Sequence, residues 1–203
     1  MDQPDRAERR RRIAQVAADV IAREGADAAT LRHIAALVGC STTLITDCFE
    51  DKRDLLVSAY RLVSADTLAQ FEQRMQRSPG DILESLVALS AIDENSWRGW
   101  RVHVAFWEKA VRDPVLASEQ RASIEATRRY VESAIRAGYG PHGDIHGAAQ
   151  LVIVLIHGIS IQVLFEQENW SREQVRELLS RQIGTVLNRG PGAQRTSDEQ
   201  VSM

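Results

Sequence analysis

The sequence has few cysteines, little net charge and no long uninterrupted apolar run, and each shortage excludes a class of protein. Its 203 residues include two cysteines, too few for the disulfide scaffold of a small secreted protein, so we expect a reducing, cytoplasmic environment. A formal net charge of −3 excludes a protein that coats nucleic acid by bulk charge. With 44% hydrophobic and 26% charged residues, the composition is that of a soluble globular protein.

Two further absences concern export and membranes. The charged residues 1–12 are not followed by an apolar stretch, so the sequence predicts no secretory signal. The most apolar segment, residues 148–165, is interrupted by polar side chains, whereas a membrane-spanning helix needs about 20 mostly apolar residues. We therefore interpret this segment as a buried helix and predict no membrane partner.

Signatures of common catalytic and metal sites are also missing. The sequence has no G-x-S-x-G, P-loop, H-E-x-x-H or Rossmann glycine pattern. No His lies at a spacing from Ser and Asp residues that suggests a catalytic site. No Cys and His residues have the spacing of zinc ligands. The sequence thus predicts neither an enzyme nor a bound metal or other cofactor.

Apolar residues recur at three- and four-residue spacing almost from end to end, which predicts an all-α protein of about nine helices. Capping residues, glycines and prolines punctuate the pattern. The first predicted helix ends at residue 24. The other predicted helices cover residues 31–38, 42 to about 48, 52–77, 81–93, 97–112, 114–138, 145–167 and 172–188. The polar residues 189–203 are predicted to be a disordered tail.

The second and third predicted helices have the pattern of a helix-turn-helix. Thr30 and Ser41 are suitable caps for the two helices, and Gly39 lies at the turn between them. Apolar residues at helical spacing would pack this hairpin on the first helix, leaving the polar side chains of the third helix free to face a DNA major groove. Helical hairpins also occur in ordinary cores, so the pattern alone does not establish DNA binding.

Residues 30–56 carry a specific resemblance. They read T-L-R-H-I-A-A-L-V-G-C-S-T-T-L-I-T-D-C-F-E-D-K-R-D-L-L, with the capping Thr, the Ile-Ala pair, Gly-x-Ser at the turn, the Phe and the Lys before Leu-Leu at matching positions. This run resembles the DNA-binding signature of TetR-type transcriptional repressors. Residues 105–116, A-F-W-E-K-A-V-R-D-P-V-L, are similar to the C-terminal domain of the BetI-type branch.

The resemblance implies a dimer of Ω-shaped all-α subunits that binds double-stranded operator DNA. Residues 1–58 would form a DNA-binding head, and residues 59–188 a domain for ligand binding and dimerisation. In such a repressor a small-molecule inducer changes the spacing of the two heads on a palindromic operator. The candidate DNA-binding residues are Thr30, Arg32, Ser41, Thr42, Thr43, Thr46, Asp47 and Lys52.

The resemblance implies individual roles for these residues, and four positions depart from it. Thr30 would cap the second helix and contact phosphate, Lys52 would hold a backbone phosphate, and the threonines would face bases or phosphates. This sequence has Thr43, Thr46, Asp47 and Cys48 at positions where the family commonly has other residues. In the same order, these are Gly, Tyr, a hydrogen-bond donor such as His, and Tyr. The carboxylate of Asp47 weakens binding to a polyanion, unless it accepts a hydrogen bond from a cytosine amine or pairs with a neighbouring Arg.

The predicted head is not basic overall, since residues 1–58 carry nine Lys and Arg residues against ten acidic ones. Its positive charge is concentrated in Arg9–Arg12. These arginines either reach a minor groove as a flexible arm or form a solvated first helical turn. The alternative to a regulator is a helical small-molecule-binding dimer whose sequence-specific DNA binding is weak or lost through Asp47 and the missing aromatic residues.

Aromatic residues of the sixth predicted helix suggest either a core or a ligand site. Trp97, Trp100, Val104, Trp107 and Val111 recur at three- and four-residue spacing, which first of all predicts a core stripe. Indole rings beside a cavity can also bind a quaternary ammonium group. The candidate ligand-binding residues are Trp97, Trp100, His103, Trp107, Tyr130 and His157.

The last two predicted helices have more apolar surface than one subunit can cover. Residues 151–156 are apolar on every side of the eighth helix, and the ninth helix has one apolar side. Packing both helices against their symmetry mates as a four-helix bundle would bury that surface, with Gly158 allowing close approach. The sequence therefore predicts a homodimer through its last two helices.

Overall fold

The computed structural model describes residues 3–78, 81–141 and 143–188. In this part of the chain it forms nine α-helices, one short 3-10 turn at Gln167–Asn169 and no strand, which confirms the predicted all-α fold. The helices are α1 (Gln3–Glu24), α2 (Leu31–Val38), α3 (Thr42–Thr46), α4 (Lys52–Arg77), α5 (Ile82–Val87), α6 (Glu94–Ala110), α7 (Pro114–Tyr139), α8 (Ile145–Phe165) and α9 (Arg172–Asn188). The predicted tail at 189–203 lies outside the described residues.

The predicted bounds are wrong in the middle of the chain, where α5 ends at Val87 and α6 already begins at Glu94. The Ser90 hydroxyl donates to the Val87 carbonyl at 2.6 Å, which competes with helical hydrogen bonding after α5. Asp93 and Ser96 then form a reciprocal capping box, because each side chain accepts from the other's backbone N–H. Ser96 therefore lies inside α6 and does not mark its boundary.

The described residues of Met1–Gln70 and Asp93–Glu125 form one compact unit. Here α1 packs against α2 and along α6. Its stripe of Ile13, Ala17, Val20 and Ile21 is buried, as the apolar spacing requires, together with Phe106 of α6. This unit groups α6 with the N-terminal helices, so the functional boundary at residue 58 remains a prediction.

The described residues of Phe71–Ile92 and Ala126–Met203 form the second compact unit. In it α9 packs against both α8 and α5. Val175, Leu179 and Ile183 are fully buried at four-residue spacing and form the inner stripe of α9. Two ion pairs fix α5 to the first turns of α9: Arg176 with Asp81 at 2.7 Å, and Arg172 with Glu84.

Helix α8 passes the test of length and composition for a membrane-spanning helix. Nine of its residues are nevertheless buried against the protein, from Ile145 at its start to Val163 near its end. Such burial supports the interpretation of α8 as a core helix. On its other side Val154 and Phe165 are exposed, at 60% and 83% of their surface, so part of its apolar surface is uncovered within one subunit.

Candidate DNA-binding surface and aromatic cluster

Side-chain caps and one glycine shape the hairpin of α2 and α3. The Thr30 hydroxyl accepts from the backbone N–H of His33, and the Ser41 hydroxyl from that of Leu44, both at 3.2 Å. Gly39 ends α2 with φ of 74°, a left-handed conformation that glycine adopts without steric cost. The predicted caps are thus confirmed, and the tight turn between the helices follows from local sequence.

Helix α3 is anchored by Ile45, which is fully buried, and is polar on its outer side. The Thr46 hydroxyl donates to the Thr43 carbonyl at 2.9 Å, so its oxygen lone pairs remain available as acceptors. The arrangement brings together an exposed row of polar side chains. Exposed members of the candidate DNA-binding set are Thr30, Arg32, Ser41, Thr42, Thr43, Thr46 and Asp47.

Lys52, the remaining member of that set, is already engaged within the subunit. Its ammonium donates to the Asp27 carbonyl at 3.0 Å and lies 3.5 Å from the Asp27 carboxylate. Lys109 of α6 donates to the same carboxylate at 3.1 Å. The hydrogen bond from Lys109, followed by the charges of both lysines, lowers the pKa of Asp27. A phosphate bound by Lys52 would therefore have to compete with Asp27.

Two arginines of α1 contact the end of α3, and the sequence did not single out either contact. Arg6 donates to the Asp47 carbonyl at 2.9 Å. Arg10 donates to the Cys48 carbonyl and to the Asp54 carboxylate. Arg10 therefore belongs to a packed joint within the subunit, whereas Arg11 and Arg12 of the same cluster are exposed.

Three of the candidate ligand-binding residues meet in the first unit. The ring centroids of Trp100 and Trp107 are 5.8 Å apart in an edge-to-face arrangement. His103 lies beside Trp100 at 5.4 Å and edge-on to Tyr60 of α4 at 5.2 Å. Tyr60 in turn stacks on Phe106 at 3.9 Å. We call Tyr60, Trp100, His103, Phe106 and Trp107 the aromatic cluster.

A glutamine of α7 connects two members of the aromatic cluster. The Gln120 carbonyl oxygen accepts from the Trp107 indole N–H at 2.7 Å and from the Tyr60 hydroxyl at 2.5 Å. Burial raises the pKa of Tyr60, so its hydroxyl stays protonated at neutral pH. Sequence reasoning missed both Tyr60 and Gln120. Tyr60 follows Ala59 on the inner side of α4, a signal for burial, but nothing local indicates that Gln120 faces it.

The predicted core stripe of α6 is wrong at its valines. Val104 and Val111 are exposed, at 38% and 84% of their surface, while Val102 and Phe106 are fully buried. The buried side is therefore rotated from the predicted one, because α1 and α4 cover positions that the tryptophan spacing does not reveal. Trp97 is half-buried.

The two other candidate ligand-binding residues belong to the second unit. Tyr130 lies edge-on to Phe71 at 6.2 Å, and a hydrogen bond with Glu72 raises the pKa of Tyr130. Burial lowers the pKa of His157 on α8 to about 4, so its imidazole is neutral at physiological pH. Among the described residues, no three His, Cys, Asp or Glu side chains are grouped so as to hold a metal ion.

Two family models match the sequence. The model of the bacterial regulatory proteins of the TetR family matches residues 13–59, which include the whole hairpin of α2 and α3. The model of the C-terminal domain of BetI-type transcriptional repressors matches residues 79–188, more than half of the chain. The chain belongs to the TetR family of bacterial transcriptional regulators. The resemblance noted in residues 30–56 and 105–116 is thereby confirmed.

Individual transcriptional regulators are similar over most of the chain. The HTH-type transcriptional regulator BetI of Klebsiella pneumoniae (strain 342) is 28% identical over an alignment of 157 residues, with coverage of 68% of this chain and 79% of that protein. A regulator from Rhodococcus sp. Rha1 has the same fold, with a TM-score of 0.75, 23% identity and coverage of 92% and 97% of the two chains. A regulator from Saccharomonospora viridis, solved in complex with choline, has a TM-score of 0.71 and 25% identity, with coverage of 88% and 96%.

The half-buried, neutral imidazole of His157 predicts a pH-dependent stability. Because its pKa falls from 6.5 to about 4 on folding, the unfolded chain takes up a proton first as the pH is lowered. The free energy of unfolding should therefore fall by roughly 2–3 kcal/mol from this group as the pH drops from 6.5 to about 4. Urea unfolding of His157→Gln across this range should show a shallower pH dependence.

Gln150→Ala, at an exposed position of α8 without a titratable group, is the matched control and should keep the wild-type dependence. Equal pH slopes for His157→Gln and wild type would contradict the prediction.

Proposed function

We propose that this TetR-family protein is a cytoplasmic homodimeric repressor that binds a palindromic operator and is released by a small-molecule inducer. The single observation that carries the proposal is the exposed polar row of α3 on a capped hairpin, within the segment that the TetR family model matches. Two such helices would enter successive major grooves about 34–36 Å apart.

The chemistry of the exposed row supports direct contact with DNA. The hydroxyls of Thr42 and Thr43 can donate to or accept from base edges, and that of Thr46 can accept from them. Ser41 and Thr30 lie at helix N-termini where backbone N–H groups favour phosphate. Arg32 adds an exposed cation to the first turn of α2. We assign phosphate contacts to Thr30 and Arg32 and base contacts to the threonines of α3.

A second copy of the chain is the proposed partner of the uncovered side of α8. Val154, Ile161 and Phe165 are exposed there, at seven- and four-residue spacing along one side of the helix. A methyl group added at Gly158 or at Gly184 of α9 would meet no atom within 4 Å beyond the adjoining backbone of its own helix, which leaves room for a partner helix. Isologous packing of α8 and α9 would cover this surface.

The aromatic cluster supports a ligand site in the first unit. Its tryptophan faces can attract an organic cation, and Gln120 and His103 supply polar atoms beside them. Choline, which the Saccharomonospora viridis regulator binds, is such a cation and is the first compound to test. In the proposed mechanism the inducer binds more tightly to a state whose heads are wrongly spaced, and DNA is released by population shift.

The proposal is tested by fluorescence anisotropy of the full chain with the intergenic DNA beside its own gene, at low and high salt. We expect tight binding to this DNA and much weaker binding to a scrambled sequence. Choline chloride should weaken the specific complex, measured against an equal concentration of sodium chloride. Equal, salt-sensitive binding to both DNAs would instead favour the alternative, a small-molecule-binding dimer that no longer reads sequence.

Replacing the acidic residue that follows α3 should strengthen DNA binding. Asp47 is exposed at the end of the polar row, and Asp47→Asn removes a negative charge that repels phosphate. At fixed salt we expect an affinity gain of about 10- to 100-fold on both specific and scrambled DNA, because each subunit of the proposed dimer loses one repulsion of on the order of 1 kcal/mol.

Glu50→Gln, at an exposed position just after α3, is the control for simple loss of charge near the head. Weaker binding of Asp47→Asn together with an altered base preference would show that the carboxylate reads a base, and would contradict the repulsion argument.

The dimer is tested by sedimentation at micromolar concentration. The wild-type chain of 22.7 kDa should sediment with the mass of two copies. Gly158→Arg should shift it to a monomer, because the subunit has room for the side chain whereas the proposed interface does not. Ala137→Arg, at an exposed position of α7, should remain dimeric. A wild-type protein that sediments as a monomer would exclude the interface.

A further inference from the structure

The orientation of α3 must be set by its neighbours, because a helix of five residues has no stability of its own in water. In the turn that follows α3, the backbone N–H groups of Asp47, Cys48 and Phe49 donate back to the carbonyls of Thr43 and Ile45 at 2.9 Å. The carbonyls of Asp47 and Cys48 in turn accept from Arg6 and Arg10 of α1. Cations at this end also complement the helix dipole.

Arg10 makes the larger set of contacts. Its guanidinium donates to the Cys48 carbonyl, to the Asp54 carboxylate with one distance of 3.0 Å, and to the Ser58 hydroxyl at 2.7 Å. The guanidinium carbon also lies 4.4 Å from the centre of the Phe49 ring. One side chain thus joins α1, the end of α3 and the first turns of α4.

The Asp54 carboxylate is committed to the same joint. Besides Arg10, it accepts from the backbone N–H of Glu50 at 3.2 Å, between α3 and α4. The hydrogen bond from Arg10 is the main cause that lowers the pKa of Asp54, so the carboxylate stays charged. Only a planar, forked cation can reach the carbonyl, the carboxylate and the hydroxyl at once, whereas a lysine ammonium is a single point charge.

We propose that Arg10 is a positioning residue for sequence recognition: it fixes the orientation of α3 against α4 and thereby sets DNA discrimination without contacting DNA. This inference rests on the proposed function, since discrimination requires an operator. It also separates Arg10 from Arg11 and Arg12, which are exposed on the same helix.

The test is Arg10→Lys in the full chain, which keeps the charge and removes the fork. Anisotropy measures the ratio of affinities for the intergenic and scrambled DNAs, and the dependence of each affinity on salt. We expect the ratio to fall at least about 5-fold, as when a base contact is misaligned, with the salt dependence on scrambled DNA unchanged. Arg23→Lys, the same substitution at an exposed position of α1, should leave the ratio unchanged.

Two results of this experiment would overturn the inference. One is a ratio equal to that of wild type. The other is an equal loss of affinity on both DNAs with a weaker salt dependence, which is the signature of a lost phosphate contact. If Arg10→Lys does not fold, Asp54→Asn opens the same joint and should lower the ratio in the same direction.

Hydrogen exchange separates this inference from the proposed function. Amides of residues 44–50 should exchange faster in Arg10→Lys than in Arg23→Lys, because the joint that holds the end of α3 is opened. If wild type does not distinguish the two DNAs, the proposed function fails. The exchange rates then decide the positioning role alone, and equal rates in the two variants would overturn it.

Discussion

The burial of α1 is the constraint on which the N-terminal half of this protein depends. Its apolar stripe is fully enclosed, with α2 on one side and α6 on another. Helices as short as α2 and α3 are marginal in isolation, so their orientation comes from this packing and not from helix propensity. Arg6 and Arg10 of the same helix donate hydrogen bonds to backbone carbonyls at the end of α3. A single amphipathic helix thus supplies both the apolar surface on which the hairpin packs and the polar contacts at the hairpin's end.

Charged side chains near the hairpin of α2 and α3 affect the proposed binding of DNA. Lys52, the cation expected at a phosphate, is shared with Asp27, and Asp47 adds a negative charge to the exposed row of α3. Exposed ion pairs contribute little to stability, so the contact between Lys52 and Asp27 is weak enough to be exchanged for phosphate. In the proposed function, both features lower the affinity of the head for DNA without preventing binding.

Predictions from the sequence were accurate where the deciding contacts join residues close together in the chain, and were wrong where those contacts join distant residues. Caps, turns and helix bounds such as those of α2 and α9 depend on neighbours within four residues, and these predictions were confirmed. The length of α5 and the inner side of α6 depend on Ser90 and on what α1 and α4 cover, and there the predictions were wrong. The link from Gln120 to Tyr60 spans 60 residues of sequence, and no local pattern encodes it. The roles assigned to the exposed residues of α3 remain predictions, because exposure does not identify a partner.

Helix α6 joins the aromatic cluster to the DNA-binding half within one compact unit. One part of it carries Trp100, His103 and Trp107, another packs along α1, and Lys109 near its end pairs with Asp27 beside Lys52. In the proposed function, a ligand that displaces α6 would disturb two features together. One is the packing of α1, on which the hairpin rests, and the other is Asp27, the partner of Lys52. Coupling between two binding sites is reciprocal, so an inducer that weakens DNA binding by this route must itself bind more weakly to the DNA complex, by the same factor. A ligand that fills the cluster but binds equally well to both states would shift neither and could not act as an inducer.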